Sequence, residues 1–149
     1  MGAYVAVVGP GESGPDEIGA AEQVGEELAR RNAVVVCGGL GGVMEAACRG
    51  AKEAGGTTVG ILPGSDRGAA NPFVDVALPT GLGEARNALV VRAADVLIAV
   101  GGAYGTLSEI ALALKAGKRV VGLRSWNIDG VEPAGSPEEA VASALPEEH

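Results

Sequence analysis

Short runs of β-branched residues alternate with amphipathic stretches along most of the chain. AYVAVVG, residues 3–9, is apolar throughout, as a strand covered on both faces must be. DEIGAAEQVGEELARR follows, with Ile18, Ala21, Val24 and Leu28 at helical spacing and Asp16 and Glu17 at the positive end of the helix. The alternation then repeats: AVVVC and VMEAACRGAKEAGG, TTVGILP and the turn-rich loop GSDRGAANP, FVDVAL and LGEARNALVVRAA. DVLIAVG, GTLSEIALALKAG and KRVVGL add a fifth strand, a helix and a sixth strand. This order predicts an α/β fold: a single Rossmann-like, doubly wound parallel sheet with helices on both faces, spanning residues 1–149 as one domain. From about residue 126 the chain turns polar, with a short helix expected near residues 137–145.

At 149 residues such a chain buries a core without staples. Aromatic residues are only 3%, so Val, Leu, Ile and Ala must build that core. The 25 glycines cluster where strands end, which suits loops that approach a ligand closely. A net charge of -8 opposes nucleic-acid binding but permits a small phosphorylated ligand, held by backbone N–H groups and an arginine or two. Cys37 and Cys48 lack zinc or redox spacing and are expected as small buried apolar groups. The sole histidine is His149, the last residue, expected at a frayed end. That excludes Ser–His–Asp and Cys–His catalysis and histidine metal sites. The acids are scattered over helix faces, with Asp66 and Asp75 the loop carboxylates to watch, so neither a metal nor a resident cofactor is expected. No signal peptide is evident and no apolar run nears the ~18 residues of a membrane span, so a cytoplasmic protein without a membrane partner is expected.

Three glycine-rich turns carry the candidate chemistry. GPGESG, residues 9–14, is formally the dinucleotide pattern G-x-G-x-x-G. That motif needs an acidic residue at the end of the second strand, where this chain has Cys37 and Gly38, and Pro15 interrupts the helix start. NAD binding is therefore disfavoured, while Gly11 and Ser13 remain candidates for a turn beside a nucleotide. In CGGLGGVME, Gly38 and Gly39 form either a permissive corner or a floor for a ribose or base. In VGGAYGTLSE, Gly101, Gly102 and Gly105 expose backbone N–H groups and Thr106 adds a hydroxyl, together an anion site at a helix start. The same stretch reads equally as a cap, because Thr106 to Glu109 is a formal S/T-x-x-E capping box. Arg86 is either a solvated charge paired with Glu84 or Asp95, or a guanidinium directed at the same crevice.

GEARNALVVRAADVLIAVGGAYGTLSEIALALKAGKRVVGL resembles the signature region of the LOG family, the cytokinin riboside 5′-monophosphate phosphoribohydrolases. Many members carry the label "possible lysine decarboxylase". CGGLGGVMEAACRGAKEAGGTTVGILPG resembles the family's other glycine-rich segment, and the likeness spans residues 33–123. It implies that Gly101, Gly102, Gly105 and Thr106 cradle a 5′-phosphate and that Arg86 and Glu109 are the catalytic pair. Glu109 would then stabilise an oxocarbenium-like ribose and activate water while Arg86 positions the nucleotide. Val100 stands where the family has Pro, and Asn87, a further candidate for nucleotide binding, stands where it has Lys. These departures resemble a sister branch of Rossmann-fold nucleotide-binding proteins that includes molybdenum-cofactor carrier proteins. Two functions follow: hydrolysis of a nucleoside 5′-monophosphate to base and ribose 5-phosphate, or non-catalytic carriage of a nucleotide or molybdopterin-type ligand. Lysine decarboxylation is excluded, since Lys52, Lys115 and Lys118 lie at helix surfaces or ends rather than in a pyridoxal-phosphate site. The resemblance also implies a homodimer or higher homo-oligomer, for which residues 88–94 are either the contact or simply packing on the protein's own sheet.

Overall fold

The computed structural model describes residues 2–146; His149 and its expected fraying lie outside them. The strands β1 (Tyr4–Val8), β2 (Val34–Cys37), β3 (Thr57–Leu62), β4 (Val76–Pro79), β5 (Val96–Val100), β6 (Arg119–Leu123) and β7 (Val131–Ala134) form one sheet. Its order is β4-β3-β2-β1-β5-β6-β7. Every neighbouring pair is parallel. The chain winds outward from β1 to β4, then returns to the other side of β1 and winds outward again.

The period-two alternation inside the apolar runs is what lets the sheet be covered twice. Val5 and Val7 point into one core, which α1 (Pro15–Arg30), α2 (Val43–Glu53) and α5 (Pro137–Ala144) cover with Val24, Leu28, Ala47 and Val141. Ala6 and Val8 point into the other, covered by α3 (Asn87–Ala93) and α4 (Tyr104–Lys115) through Val90, Val91, Ile110 and Ala113. Each such buried Val, Leu or Ile contributes about 1.5–3 kcal/mol relative to exposure. α1 starts on Pro15 with Asp16 and Glu17 in its first turn, matching proline and acid to a helix N-terminus. α1 and α2 meet backbone to backbone. A Cβ on Gly50 would overlap the Glu22 carbonyl oxygen, and one on Gly25 would overlap that of Ala47. Beside this contact Glu22 and Arg49 form an ion pair.

Three differences from the sequence reading have local causes. The polar tail holds a seventh strand, β7, whose VEPA sequence lacks any apolar run. It pairs only with β6, and an edge strand tolerates Pro133 because one row of N–H positions is unused. The fourth strand begins at Val76 rather than Phe73, since Asn71 Oδ1 accepts from the Phe73 N–H and turns that segment. The helix expected over residues 82–94 is a 3-10 turn, Gly83–Arg86, leading into the shorter α3. Within residues 88–94, Val90, Val91 and Ala94 pack on the protein's own sheet while Leu89 is exposed. Cys37 and Cys48 are free, buried thiols with their sulfurs 3.5 Å apart.

Candidate functional site

The order of strands reverses between β1 and β5, and in a doubly wound sheet a crevice opens outside the strand carboxyl ends at that point. A cavity of about 240 Å³ lies there. Gly9, Pro10 and Gly11, following β1, form one wall; Gly38, following β2, and Met44 of α2 form the floor. Arg86 and Asn87 enter from the 3-10 turn and the start of α3, and Ala103, Gly105, Thr106 and Glu109 come from α4 and its approach.

Two glycines set this shape. Gly42 has φ +66 and presses on the Gly11 backbone, so the turns after β1 and β2 interlock; the Val43 N–H donates to the Pro10 carbonyl at 3.1 Å. A Cβ at Gly38 would lie 2.7 Å from Arg86 Nη2 and 2.9 Å from Met44 Sδ. The guanidinium therefore lies close against a floor that glycine leaves open. Arg86 Nη1 donates to Asn87 Oδ1, while Nε is buried without a partner. Neither carboxylate considered from sequence holds this arginine, and Asp95 instead accepts from the Tyr4 N–H at 2.9 Å.

The helix at the opposite wall begins three residues earlier than a capping box requires. α4 starts at Tyr104, its N-cap is Ala103, and no side chain caps it. Thr106 is thus the third helical residue, 2% exposed, and its Oγ1 has no partner. The capping box suggested by Thr106 and Glu109 does not form. The first N–H groups of an α-helix lack intrahelical acceptors, and Gly105 and Thr106, two of the residues that bear them here, line the cavity. Glu109, one turn further in, is 7% exposed. Burial pushes its carboxyl up to about 7, against the opposing pull of the Arg86 charge. Arg86 and Glu109 share the lining without closing to an ion pair, and among the described residues they are its only ionisable side chains.

The structure brings Arg86, Asn87, Glu109, Gly105, Thr106, Gly11 and Gly38 together around this cavity. Four other expected residues stand behind it. Gly101, at φ +73, donates its N–H to the Leu123 carbonyl at 3.1 Å and faces Glu17. Gly102 lies under Trp126, and Gly39 packs on Leu62 while its carbonyl accepts from the Asn71 N–H. Ser13 has a buried, unpartnered hydroxyl outside the lining. Met44, Pro10 and Ala103 complete the walls and had no signal in sequence, because only the docking of α2 beside Arg86 and β1 gives them a role. At the rim, the Trp126 Nε1–H donates to the Ala103 carbonyl at 3.1 Å, and Tyr104 stacks on the indole with centroids 6.3 Å apart. Among the described residues no group of three or more His, Cys, Asp or Glu converges as a metal site. No helix among them is long and apolar enough to cross a membrane.

Parallel sheet, switch-point crevice and glycine-rich turns together define a Rossmann-like α/β protein of the doubly wound class. The chain belongs to the SLOG cluster4 family, whose model matches residues 2–148. It is 47% identical over 138 residues to an uncharacterised protein of Archaeoglobus fulgidus, covering 92% of this chain and 91% of that one. The molybdenum cofactor binding protein of the phototrophic bacterium Rippkaea orientalis superposes with a TM-score of 0.91 at 40% identity, over 96% of this chain and 95% of that one. The molybdenum cofactor carrier protein of Chlamydomonas reinhardtii superposes with a TM-score of 0.87 at 35% identity, over 96% of both chains. These matches identify the fold and the family; the narrower likeness to the phosphoribohydrolases is not carried by them.

Proposed function

We propose that this protein binds and carries a small ligand by its phosphate group, the cargo being a nucleotide or a molybdopterin-type cofactor. The observation that carries the reading is the pair of buried, unpartnered polar atoms, Arg86 Nε and Thr106 Oγ1, in residues that line one cavity. Leaving each unsatisfied costs about 1–3 kcal/mol, which oxygens of one phosphate would relieve. The uncapped start of α4 adds backbone donors and the positive end of a helix dipole. Glu109 suits an anion site because, with its carboxyl near 7, part of its population is neutral at physiological pH. The likeness to two proteins that bind or carry molybdenum cofactor supports carriage of cargo of that class. A cargo of that kind would be recognised through its phosphate, the group these donors fit.

Hydrolysis of a nucleoside 5′-monophosphate is the second reading, favoured by the buried Glu109 sharing the cavity with Arg86. Glycosidic cleavage ordinarily employs two carboxyl groups, one to protonate the leaving group and one to answer the developing positive charge. The described lining offers one carboxyl, so carriage is placed first. A cytoplasmic homo-oligomer, joined through the α3–α4 face where Leu89 and Leu112 are exposed, completes the proposal.

The test is a thermal-shift panel of inorganic phosphate, ribose 5-phosphate and guanosine 5′-monophosphate, with a base-release assay run on each nucleotide. Binding at a hundredfold excess over Kd adds about 2.7 kcal/mol of stability, or roughly 5–10 °C for a chain of this length. Arg86→Ala and Thr106→Ala should each abolish the shift. No shift with any ligand overturns the reading, and base release that Glu109→Gln abolishes replaces carriage with hydrolysis.

A further inference from the structure

We propose that Tyr104 and Trp126 form a stacking platform for a planar, purine- or pterin-like ring of the same ligand. The proposal rests on the phosphate-binding reading and extends it to the other end of the molecule. At about 240 Å³ the cavity is smaller than the ~300–1,000 Å³ of ordinary small-molecule sites. It has room for a phosphate and part of a sugar, so a ring attached to them must lie over the rim. Ala103 belongs both to the cavity and to a neighbouring open hollow of about 350 Å³, whose other walls are Gly102, Tyr104 and Trp126.

The aromatic pair is built for a flat face. The chain has one Trp, two Tyr and one Phe, and two of these four stand together at this point, Trp126 half-buried against the edge of the core and Tyr104 exposed upon it. Trp126 is fixed by its hydrogen bond to the Ala103 carbonyl and sits over Gly102, where a Cβ would come within 3.1 Å of Nε1. Tyr104 leans on the indole at an interplanar angle of 24°, which leaves its own outer side open at 83% exposure. A large aromatic side chain held in place yet uncovered is a surface for another π-face. Its position at the first residue of α4 sets it two residues from Thr106, whose buried, unpartnered hydroxyl lines the phosphate cavity. One ligand can therefore meet both features, with its anionic end on α4 and its ring beyond the rim.

Trp126 is the only tryptophan, so its fluorescence reports on this site alone. Guanosine 5′-monophosphate and ribose 5-phosphate share the phosphate and sugar and differ by the ring. In the wild type the nucleotide should bind about tenfold more tightly and quench Trp126, as expected for one stacked base. Tyr104→Ala should bring its affinity down to that of ribose 5-phosphate, leave ribose 5-phosphate binding unchanged, and keep the unliganded melting temperature. Tyr104→Phe should retain the preference. Equal affinities in the wild type, or an undiminished preference in Tyr104→Ala, overturns the platform while leaving the phosphate site intact. Absence of binding by both ligands overturns the phosphate reading instead. A lower sedimentation mass for Tyr104→Ala with unchanged nucleotide affinity also overturns the platform, by assigning Tyr104 to a contact between copies of the chain.

Discussion

Replacing Glu109 with Gln removes one charge from the cavity wall while keeping the shape of the side chain, so it isolates what burial does to that carboxyl. In the folded protein the group titrates at about 7, against 4.5 for an unperturbed glutamate. Below about pH 4.5 it is protonated whether the chain is folded or not, and wild type and variant should be equally stable. Between about 4.5 and 7 the folded state holds a proton that the unfolded state has released, so wild-type stability falls as pH rises through that window. Above about 7 the buried carboxylate is ionised and the loss is complete, at about 3 kcal/mol. Arg86 offsets part of the burial penalty, and that offset is already contained in the value of about 7. Glu109→Gln should therefore match wild type near pH 4.5 and exceed it by about 3 kcal/mol, roughly 6–12 °C, at pH 8. Urea denaturation followed by circular dichroism at unit pH steps reads the difference directly, since all other titrating groups cancel between the two proteins. Parallel stability curves from pH 4.5 to 8.5 would refute the reasoning and place Glu109 in contact with water.

Other perturbations separate the floor of the site from the frame that holds it. In Gly38→Ala the new methyl meets the far end of a flexible arginine, so the fold should lose less than about 1 kcal/mol while phosphate-ligand affinity drops with the displaced Arg86; retained affinity in calorimetric titration would contradict this. Gly50→Ala drives a methyl into the Glu22 backbone and should cost about 1–3 kcal/mol or more, measured as a lower urea midpoint, with ligand affinity unchanged wherever the protein remains folded. Cys37 and Cys48 should react with a thiol reagent only on unfolding. Both are fully buried, and the hydrogen bond to Cys37 together with burial pushes the Cys48 thiol far above its usual range. Stoichiometric labelling of the native protein within minutes would show that the α2–β2 contact opens.

The elements buried on both faces were readable because their chemistry is written locally. VVVC and VLIAV have no polar positions to confuse with a surface strand, and α1 repeats its apolar residues at helical spacing. VEPA escaped because an edge strand exists through its partner, here β6, rather than through its composition. The Thr106-to-Glu109 spacing matched a cap on paper, but α4 begins at Tyr104 and turns the same two residues inward to the cavity.

Sequence alone thus determined the doubly wound sheet, the glycine-rich turns at its carboxyl edge, and the candidacy of Arg86, Thr106 and Glu109, since side-chain periodicity and backbone permissiveness are properties of the chain itself. Tertiary structure decided which glycines serve the cavity. Gly38 and Gly105 line it, while Gly101 and Gly102 shape the turn behind it. It also decided that Arg86 lies on Gly38, that Glu109 is buried enough to hold a proton near neutrality, and that Tyr104 stands open beside Trp126. Those outcomes depend on distances between segments far apart in the chain and on exclusion of water, which exist only once the sheet and its helices have closed together.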